Sequence, residues 1–143
     1  MSTTPTTNRL APLYLALGFA QAAHSIEEMS TRLYDFFWTA TGLFHQYVPA
    51  IPQFRMSAQT FAVINMTIIA VLLGTSPSVF AGRPWTLYLA GLVGIIETLN
   101  GAGHLAGVVV FGGYVPGALT APFLFVLGIL LLRELSRTGA LRG

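Results

Sequence analysis

The sequence predicts an all-α protein, a four-helix transmembrane bundle with a long aromatic interfacial first loop. Of its 143 residues, 54% are hydrophobic and only 8% are charged, whereas soluble domains carry charged residues at about 25%. The apolar residues fall into four stretches, each near the ~20 residues that a helix needs to cross the hydrocarbon core. No polar segment is long enough to form a second domain, so we expect one compact bundle.

The four expected spans are separated by segments rich in turn-forming residues, and they cover residues 10–29, 57–74, 85–111 and 118–132. The turn signals are Thr75-Ser76-Pro77-Ser78 with Gly82-Arg83-Pro84, and then residues 112–117. The third span is longer than a bilayer requires, which predicts tilt or projection into the interface. This division gives a disordered head at 1–9, a four-span transmembrane domain at 10–132 and a short basic tail at 133–143.

The first span has one competing interpretation, as a signal peptide. Arg9, a short apolar run and Ala20-Gln21-Ala22 resemble the charged region, the apolar region and the cleavage site of such a peptide. Cleavage there would remove a packing partner from the other three spans, so we favour a retained helix.

The arginines predict the orientation, because cytoplasmic loops carry an excess of basic residues. With four spans, the side that holds both termini carries Arg9, Arg83, Arg133, Arg137 and Arg142, and the other side carries Arg32 and Arg55. We therefore expect an integral protein of the cytoplasmic (plasma) membrane with both termini cytoplasmic. The arginines form no cluster, so no nucleic-acid partner is expected.

The first loop is rich in aromatic residues, which are Tyr34, Phe36, Phe37, Trp38, Phe44 and Tyr47. Its composition is typical of an interfacial helix with its rings at the headgroup level of the bilayer. A lid over a pocket and a lateral gate for a lipid-soluble substrate are alternatives. Trp38 here, Asn65 in the second span and Tyr114 after the third are candidate substrate contacts, and Asn65 is also expected to hydrogen-bond between helices.

Ionisable residues inside the first and third spans are the main functional signal. His24, Glu27 and Glu28 share one face of the first span, and Glu97, Asn100 and His104 lie at i, i+3 and i+7 on the third. Charges at such depth cost several kcal/mol unless they are paired, hydrated or bound. The first and third spans run in the same direction, so both polar faces approach the same leaflet. We expect these six residues to form one site, against the alternative of a purely structural network.

The chemistry of this site has two interpretations. Imidazole and carboxylate groups together bind Zn, Fe or Mn, which makes His24, Glu28, Glu97 and His104 candidate metal ligands. With no cysteine in the chain, a thiolate site is excluded. The same groups can instead transfer protons without a metal, with a Glu whose pKa is raised by its apolar surroundings.

Three short motifs together resemble one protein family. His24-Ser25-Ile26-Glu27-Glu28, Asn100-Gly101-Ala102-Gly103-His104 and Tyr114-Val115-Pro116-Gly117 occur in this order. They resemble the HxxEE, NxxxH and YxPG patterns of the HXXEE family of small integral membrane proteins. The resemblance implies that these positions act as a unit, but it does not supply a reaction.

From these observations we expect a membrane-embedded enzyme that acts on a small lipophilic molecule, with assistance from a divalent metal such as Fe, Zn or Mn. A metal-free acid–base isomerase or cyclase is the first alternative. A small proton or metal transporter, which would require a homodimer, and an accessory subunit of a membrane complex are the others. The expected surroundings are the lipid bilayer and a lipophilic small molecule.

Overall fold

A computed structural model describes residues 9–138, and these form an all-α fold of five helices without a strand. The helices are α1 (Leu10–Ser30), α2 (Leu33–Tyr47), α3 (Ala58–Phe80), α4 (Trp85–Phe111) and α5 (Ala121–Arg137). The expected all-α class is confirmed. Residues 1–8 of the expected head and 139–143 of the expected tail lie outside the described residues, whereas Arg133–Arg137 form the last turn of α5.

Helices α1, α3, α4 and α5 form a bundle in which chain neighbours run antiparallel. The start of α1 contacts the end of α3 through Tyr14 and Thr75, and the end of α1 contacts the start of α5 through Glu27 and Thr120. α1 packs mainly on α3 and α5, and α4 packs mainly on α5. α1 and α4 therefore run the same way, as expected, but they face each other diagonally and are not packed neighbours.

The hydrophobic core occupies one end of the bundle. It is built from the first half of α1, the second half of α3, the first half of α4 and residues 124–135 of α5, with Leu17, Leu72, Leu124 and Leu131 almost fully buried. At the other end, polar side chains replace this apolar packing. The core thus fixes the four helices at one end and leaves the opposite end for the polar site.

Close approach between α4 and α5 depends on glycine. A Cβ at Gly101 would lie 2.7 Å from both the carbonyl oxygen of Ala121 and the backbone nitrogen of Phe125. No side chain fits between these backbones. Gly101 therefore allows the part of α4 that carries Asn100 and His104 to lie close to the start of α5.

Besides the end of α5, which lies at Arg137 and not at residue 132, two predicted boundaries were wrong. The predicted turn at Thr75-Ser76-Pro77-Ser78 is the last part of α3, which continues to Phe80. Pro77 lacks only one helical hydrogen bond there, and the hydroxyls of Thr75 and Ser76 donate to carbonyls one turn earlier. The fourth helix begins at Ala121 and not at residue 118, because Gly117 adopts a φ of +91° and the chain turns before it enters α5.

The aromatic first loop contains α2, so the expected helix in this loop is present. Arg32 joins α1 to α2 with a φ of 59°, a left-handed conformation that redirects the chain. α2 lies across the start of α3 and the end of α4, since the Phe37 ring contacts Phe61 and the Phe36 ring contacts Phe111.

Within the part of the chain that the structure describes, two helices, α3 and α4, are long and apolar enough to cross a membrane. α1 is less apolar because it also carries polar residues, among them Gln21, His24, Glu27 and Glu28, and α5 is short, with 17 residues. Many large apolar side chains on the outer faces of α3, α4 and α5 are exposed, among them Val63, Met66, Val71, Leu92, Ile95, Leu99, Val109, Phe123 and Val126. These features indicate membrane association at a coarse level.

Candidate functional site

Two histidines from different helices contact the same carboxylate oxygen. Oε1 of Glu28 lies 3.1 Å from Nε2 of His24 and 3.1 Å from Nε2 of His104. The side chains of His24, Glu28 and His104 are 0%, 6% and 10% exposed, respectively. Each offers one ligand atom, and the three atoms lie within 4.8 Å of one another. The expected convergence of the two polar faces is therefore present at these three residues.

Two of these separations are close to those in a site with a shared cation. In a tetrahedral site, ligand atoms that each lie ~2.0–2.2 Å from one zinc ion are separated from each other by roughly 3.3–3.6 Å. The 3.1 Å distances from Glu28 to the two imidazoles are slightly shorter than this, and the three ligand atoms all lie within 4.8 Å of one another. A proton held between the carboxylate and an imidazole is compatible with the same distances, so both interpretations of the sequence remain compatible with this geometry.

The hydrogen bonds around Thr120 fix the tautomer of His24. The backbone N–H and the hydroxyl of Thr120 both donate to Oε2 of Glu27, at 2.8 and 2.5 Å. Because the hydroxyl hydrogen is used in this way, the Thr120 oxygen accepts a hydrogen bond from Nδ1 of His24, at 2.7 Å. A neutral His24 therefore carries its proton on Nδ1, and the lone pair of Nε2 faces Glu28.

This arrangement leaves an acceptor facing an acceptor. Within residues 9–138, Nε2 of His24 has no hydrogen-bond partner, although it is buried 3.1 Å from the Glu28 oxygen. A lone pair and a carboxylate oxygen repel each other at this distance unless a positive charge lies between or beside them. His24 thus presents the lone pair of Nε2 beside the Glu28 carboxylate, and a cation between the two would be stabilised by both.

Glu27 has a different role from that of Glu28. Its carboxylate accepts hydrogen bonds from the Tyr114 hydroxyl at 2.6 Å, from Leu119 N–H at 3.0 Å and from both donors of Thr120. The Leu119 and Thr120 donors immediately precede α5, where a carboxylate is favourable. Burial and the neighbouring Glu27 carboxylate raise the pKa of the Tyr114 hydroxyl, which keeps it protonated as a donor. Glu27 is thus a clamp between α1 and the start of α5.

Gly117 lies directly against both imidazoles. With its φ of +91°, a Cβ at this position would lie 2.6 Å from Cε1 of His104 and 2.9 Å from Cε1 of His24. Any side chain would therefore displace the two rings, which are themselves edge to face with centroids 4.7 Å apart. This contact explains why the Tyr114-to-Gly117 turn belongs with the two histidine motifs.

Glu97 and Asn100 lie next to this cluster, on α4. Glu97 is only 3% exposed, and its side chain interacts with that of Asn100 and with the charges of His24 and Glu28. Its Oε2 atom has no hydrogen-bond partner among the described residues. Glu97 is not one of the three residues whose ligand atoms converge, so the structure separates it from the group with which the sequence placed it as a metal ligand.

A cavity of about 630 Å³ extends from the site between α3 and α4 and beneath α2. Its walls are apolar and include Phe37, Phe61, Ile68 and Phe111. The polar side chains that line it are Gln21, Glu28, Asn65, Asn100 and His104. It has the size and the mostly apolar lining that are typical of small-molecule pockets. The cluster of two histidines and one glutamate therefore has an adjoining space for a lipophilic molecule.

Not every predicted contact residue lines this cavity. Asn65 does, and it also hydrogen-bonds with Ser25 between helices, as expected. Trp38 is instead on the outer side of α2, where the Arg55 guanidinium lies 4.5 Å from its ring centroid. Tyr114 is also absent from the lining and contacts Glu27.

Sequence reasoning missed two residues of the site, Gln21 and Thr120. Gln21 is 2% exposed, lines the cavity and begins a hydrogen-bonded chain with Ser25 and Asn65. Its spacing of seven residues from Glu28 places both on one face of α1, which is a signal that the sequence contained. Thr120 had no comparable signal, because its role depends on the turn that precedes α5.

The fold and the site define a class, helical proteins with a buried histidine–carboxylate cluster beside an apolar cavity. Residues 15–132 match the family described as "Protein of unknown function with HXXEE motif", and the chain belongs to this family. The predicted resemblance is thus confirmed. No curated protein and no solved structure matches the chain.

Proposed function

We propose that this protein is a membrane-embedded, metal-assisted enzyme that acts on a small lipophilic substrate. The observation that carries the proposal is the convergence of His24, Glu28 and His104 at one end of an apolar cavity. Three protein ligands and one open position are typical of catalytic metal sites. A divalent ion held there would polarise an oxygen atom of the substrate.

The surrounding residues have distinct roles in this proposal. Glu27 and Thr120 orient His24, as outer-sphere partners commonly do for metal-binding histidines. Glu97, buried and with a free Oε2, transfers a proton to or from the substrate, and Asn100 orients it. The cavity between α3 and α4 admits the substrate, and its apolar walls exclude water.

The membrane topology is part of the same proposal. Four helices, α1, α3, α4 and α5, cross the bilayer with both termini in the cytoplasm, and α2 lies at the opposite interface. The exposed apolar faces of α3, α4 and α5 and the distribution of arginines support this arrangement. The carboxylates of α1 tolerate it because they face the bundle, where Glu28 contacts two imidazoles and Glu27 accepts four hydrogen bonds.

Metal content and lipid turnover test the proposal together. Elemental analysis of protein extracted from membranes should find about one Zn, Fe or Mn ion per chain. The Glu28→Gln variant should lose most of it. The His24→Ala variant should also lose most of the metal. His45→Ala is its matched control, because His45 is exposed and hydrogen-bonds only with the Ile51 carbonyl among the described residues.

Untargeted mass spectrometry of lipid extracts should then find a species that wild-type protein consumes and Glu28→Gln protein does not. Metal-free protein that still consumes such a species would favour the acid–base isomerase or cyclase, for which the free Glu97 oxygen is the supporting observation. Protein that neither holds metal nor consumes any lipid would contradict both forms of the proposal.

A further inference from the structure

Gln21, Ser25 and Asn65 form a chain of hydrogen bonds beside the cavity. A contact with one backbone carbonyl determines which group donates and which accepts in each bond of this chain. Asn65 contacts the Phe61 carbonyl at 3.2 Å, and only the NH₂ group of an amide can donate to a carbonyl. The other end of the Asn65 amide is therefore its oxygen, which accepts from the Ser25 hydroxyl at 2.7 Å. With its hydrogen used, Ser25 accepts from the Gln21 amide nitrogen at 3.2 Å.

This direction leaves one acceptor unused. The Gln21 amide oxygen, Oε1, is buried and has no hydrogen-bond partner among residues 9–138. Gln21 is 2% exposed and lines the cavity. A buried carbonyl oxygen without a donor costs free energy. Exchanging the oxygen and nitrogen of the Gln21 amide would turn its oxygen toward Ser25, but the Ser25 hydroxyl would then have no hydrogen left for Asn65. Because Gln21 lines the cavity, a small rotation of its side chain would present Oε1 to a donor in that space.

The charges of the cavity lining define the kind of donor. No Lys or Arg is among the lining residues, and Glu28 contributes a carboxylate. A phosphate or carboxylate headgroup would thus enter an apolar space without a cationic partner, which is costly. A hydroxyl group is uncharged, supplies the single donor that Gln21 lacks, and leaves the rest of the ligand free to be hydrocarbon.

We infer that the cavity binds an uncharged lipid alcohol whose hydroxyl donates to Oε1 of Gln21. This inference rests on the proposed function, since it names the substrate class of that site. Gln21 precedes Glu28 by seven residues, a distance of about 10 Å along α1. The hydroxyl is therefore the anchor of the substrate, and the oxygen atom that is polarised in the proposed reaction belongs to a second group of the molecule, close to Glu28 and His104.

The test compares two probes that differ only in the donor, oleyl alcohol and its methyl ether. Binding of each to purified protein in nanodiscs is measured by competition with tritiated oleyl alcohol. Wild-type protein should prefer the alcohol about tenfold, which is the effect expected for one buried hydrogen bond. The Gln21→Met variant keeps the approximate shape of the side chain but lacks the acceptor, so it should bind both probes alike. Oleyl phosphate should not compete.

Three further variants separate the effect of the acceptor from that of its surroundings. Ser25→Ala removes the bond between Gln21 and Ser25 but keeps the Gln21 oxygen, so the preference for the alcohol should persist. Gly103→Leu extends a side chain into the cavity and should abolish binding of both probes. Gly74→Leu should not, because Gly74 is also an exposed helical glycine with nothing within 4 Å of a Cβ, and it is not part of the cavity lining.

Equal binding of the alcohol and the ether by wild-type protein would overturn the inference. So would a preference that survives in Gln21→Met protein. Metal content, measured on the same samples, keeps the two proposals apart. A metal-loaded protein without a preference for the alcohol would contradict the inference but not the proposed function. A metal-free protein with a preference that depends on Gln21 would contradict the metal centre and support the binding site.

Discussion

The hydroxyl oxygen of Thr120 lies 2.7 Å from Nδ1 of His24 and orients that ring from the start of α5. The hydroxyl itself donates to Glu27, so two consecutive hydrogen bonds run from the His24 imidazole through Thr120 to Glu27. We call this pair of hydrogen bonds the relay. Outer partners of metal-binding histidines typically contribute 10–100-fold to metal affinity. The relay predicts that α5, which supplies no ligand, controls the ligand geometry.

We expect Thr120→Val to lower metal affinity by about 10–100-fold while the protein remains folded, because valine keeps the shape but removes both hydrogen bonds. Thr67→Val is the matched control, since the Thr67 hydroxyl only donates to the Val63 carbonyl on its own helix. Metal competition with a chromophoric chelator provides the measurement. Unchanged affinity in Thr120→Val protein would exclude the relay.

Gly117→Ala should disturb both imidazoles, since the added Cβ would lie 2.6 Å from Cε1 of His104. Gly112→Ala is a suitable comparison, because Gly112 also has a positive φ, 66°, but has nothing within 4 Å of a Cβ. Overpacking typically costs about 1–3 kcal/mol beyond backbone strain. Thermal unfolding should therefore rank Gly117→Ala clearly below Gly112→Ala, and equal stabilities would contradict the described contact.

Glu27→Gln should destabilise the protein more than Tyr114→Phe does. The amide NH₂ group of a glutamine would face donors that precede α5, whereas phenylalanine removes only one of the four hydrogen bonds to Glu27. A loss of about 1–3 kcal/mol is expected for Glu27→Gln, measured by thermal unfolding in detergent. A larger loss in Tyr114→Phe would show that the exposed tyrosine, and not the helix start, is the main partner.

Glu97→Gln should separate metal binding from chemistry. Because Glu97 lies outside the group of converging ligand atoms, the variant should keep its metal and lose consumption of the lipid substrate. The Glu28→Gln variant should lose both. Loss of metal in Glu97→Gln protein would restore Glu97 to the ligand set that the sequence suggested.

Much of the fold follows from hydropathy, and the reasons for the exceptions are local. The bounds of α4 were predicted correctly, because its apolar run ends at a glycine pair. The end of α3 was misplaced, because a proline typically breaks a helix, whereas α3 continues through Pro77 to Phe80 with the loss of one backbone hydrogen bond. α5 was placed three residues early, since no sequence pattern reveals that Gly117 must face two rings.

The sequence indicated which residues form the site, but not which of their side chains contact each other. Helical periodicity placed His24, Glu28 and His104 on faces that could meet, and they do. It could not separate Glu27 from Glu28, which are one residue apart and contact different helices. Nor could it show that Trp38 turns away from the cavity, because α2 has aromatic residues on more than one face.

X-ray absorption spectroscopy of the purified protein tests the metal centre most directly. We expect a bound Zn, Fe or Mn with two imidazole ligands and oxygen in the remaining positions, at ~2.0–2.2 Å. The His24→Ala and His104→Ala variants should each lose one imidazole or the metal altogether. A metal without imidazole ligands, or the same spectrum in both variants, would contradict the central claim that these two histidines and Glu28 hold a catalytic ion.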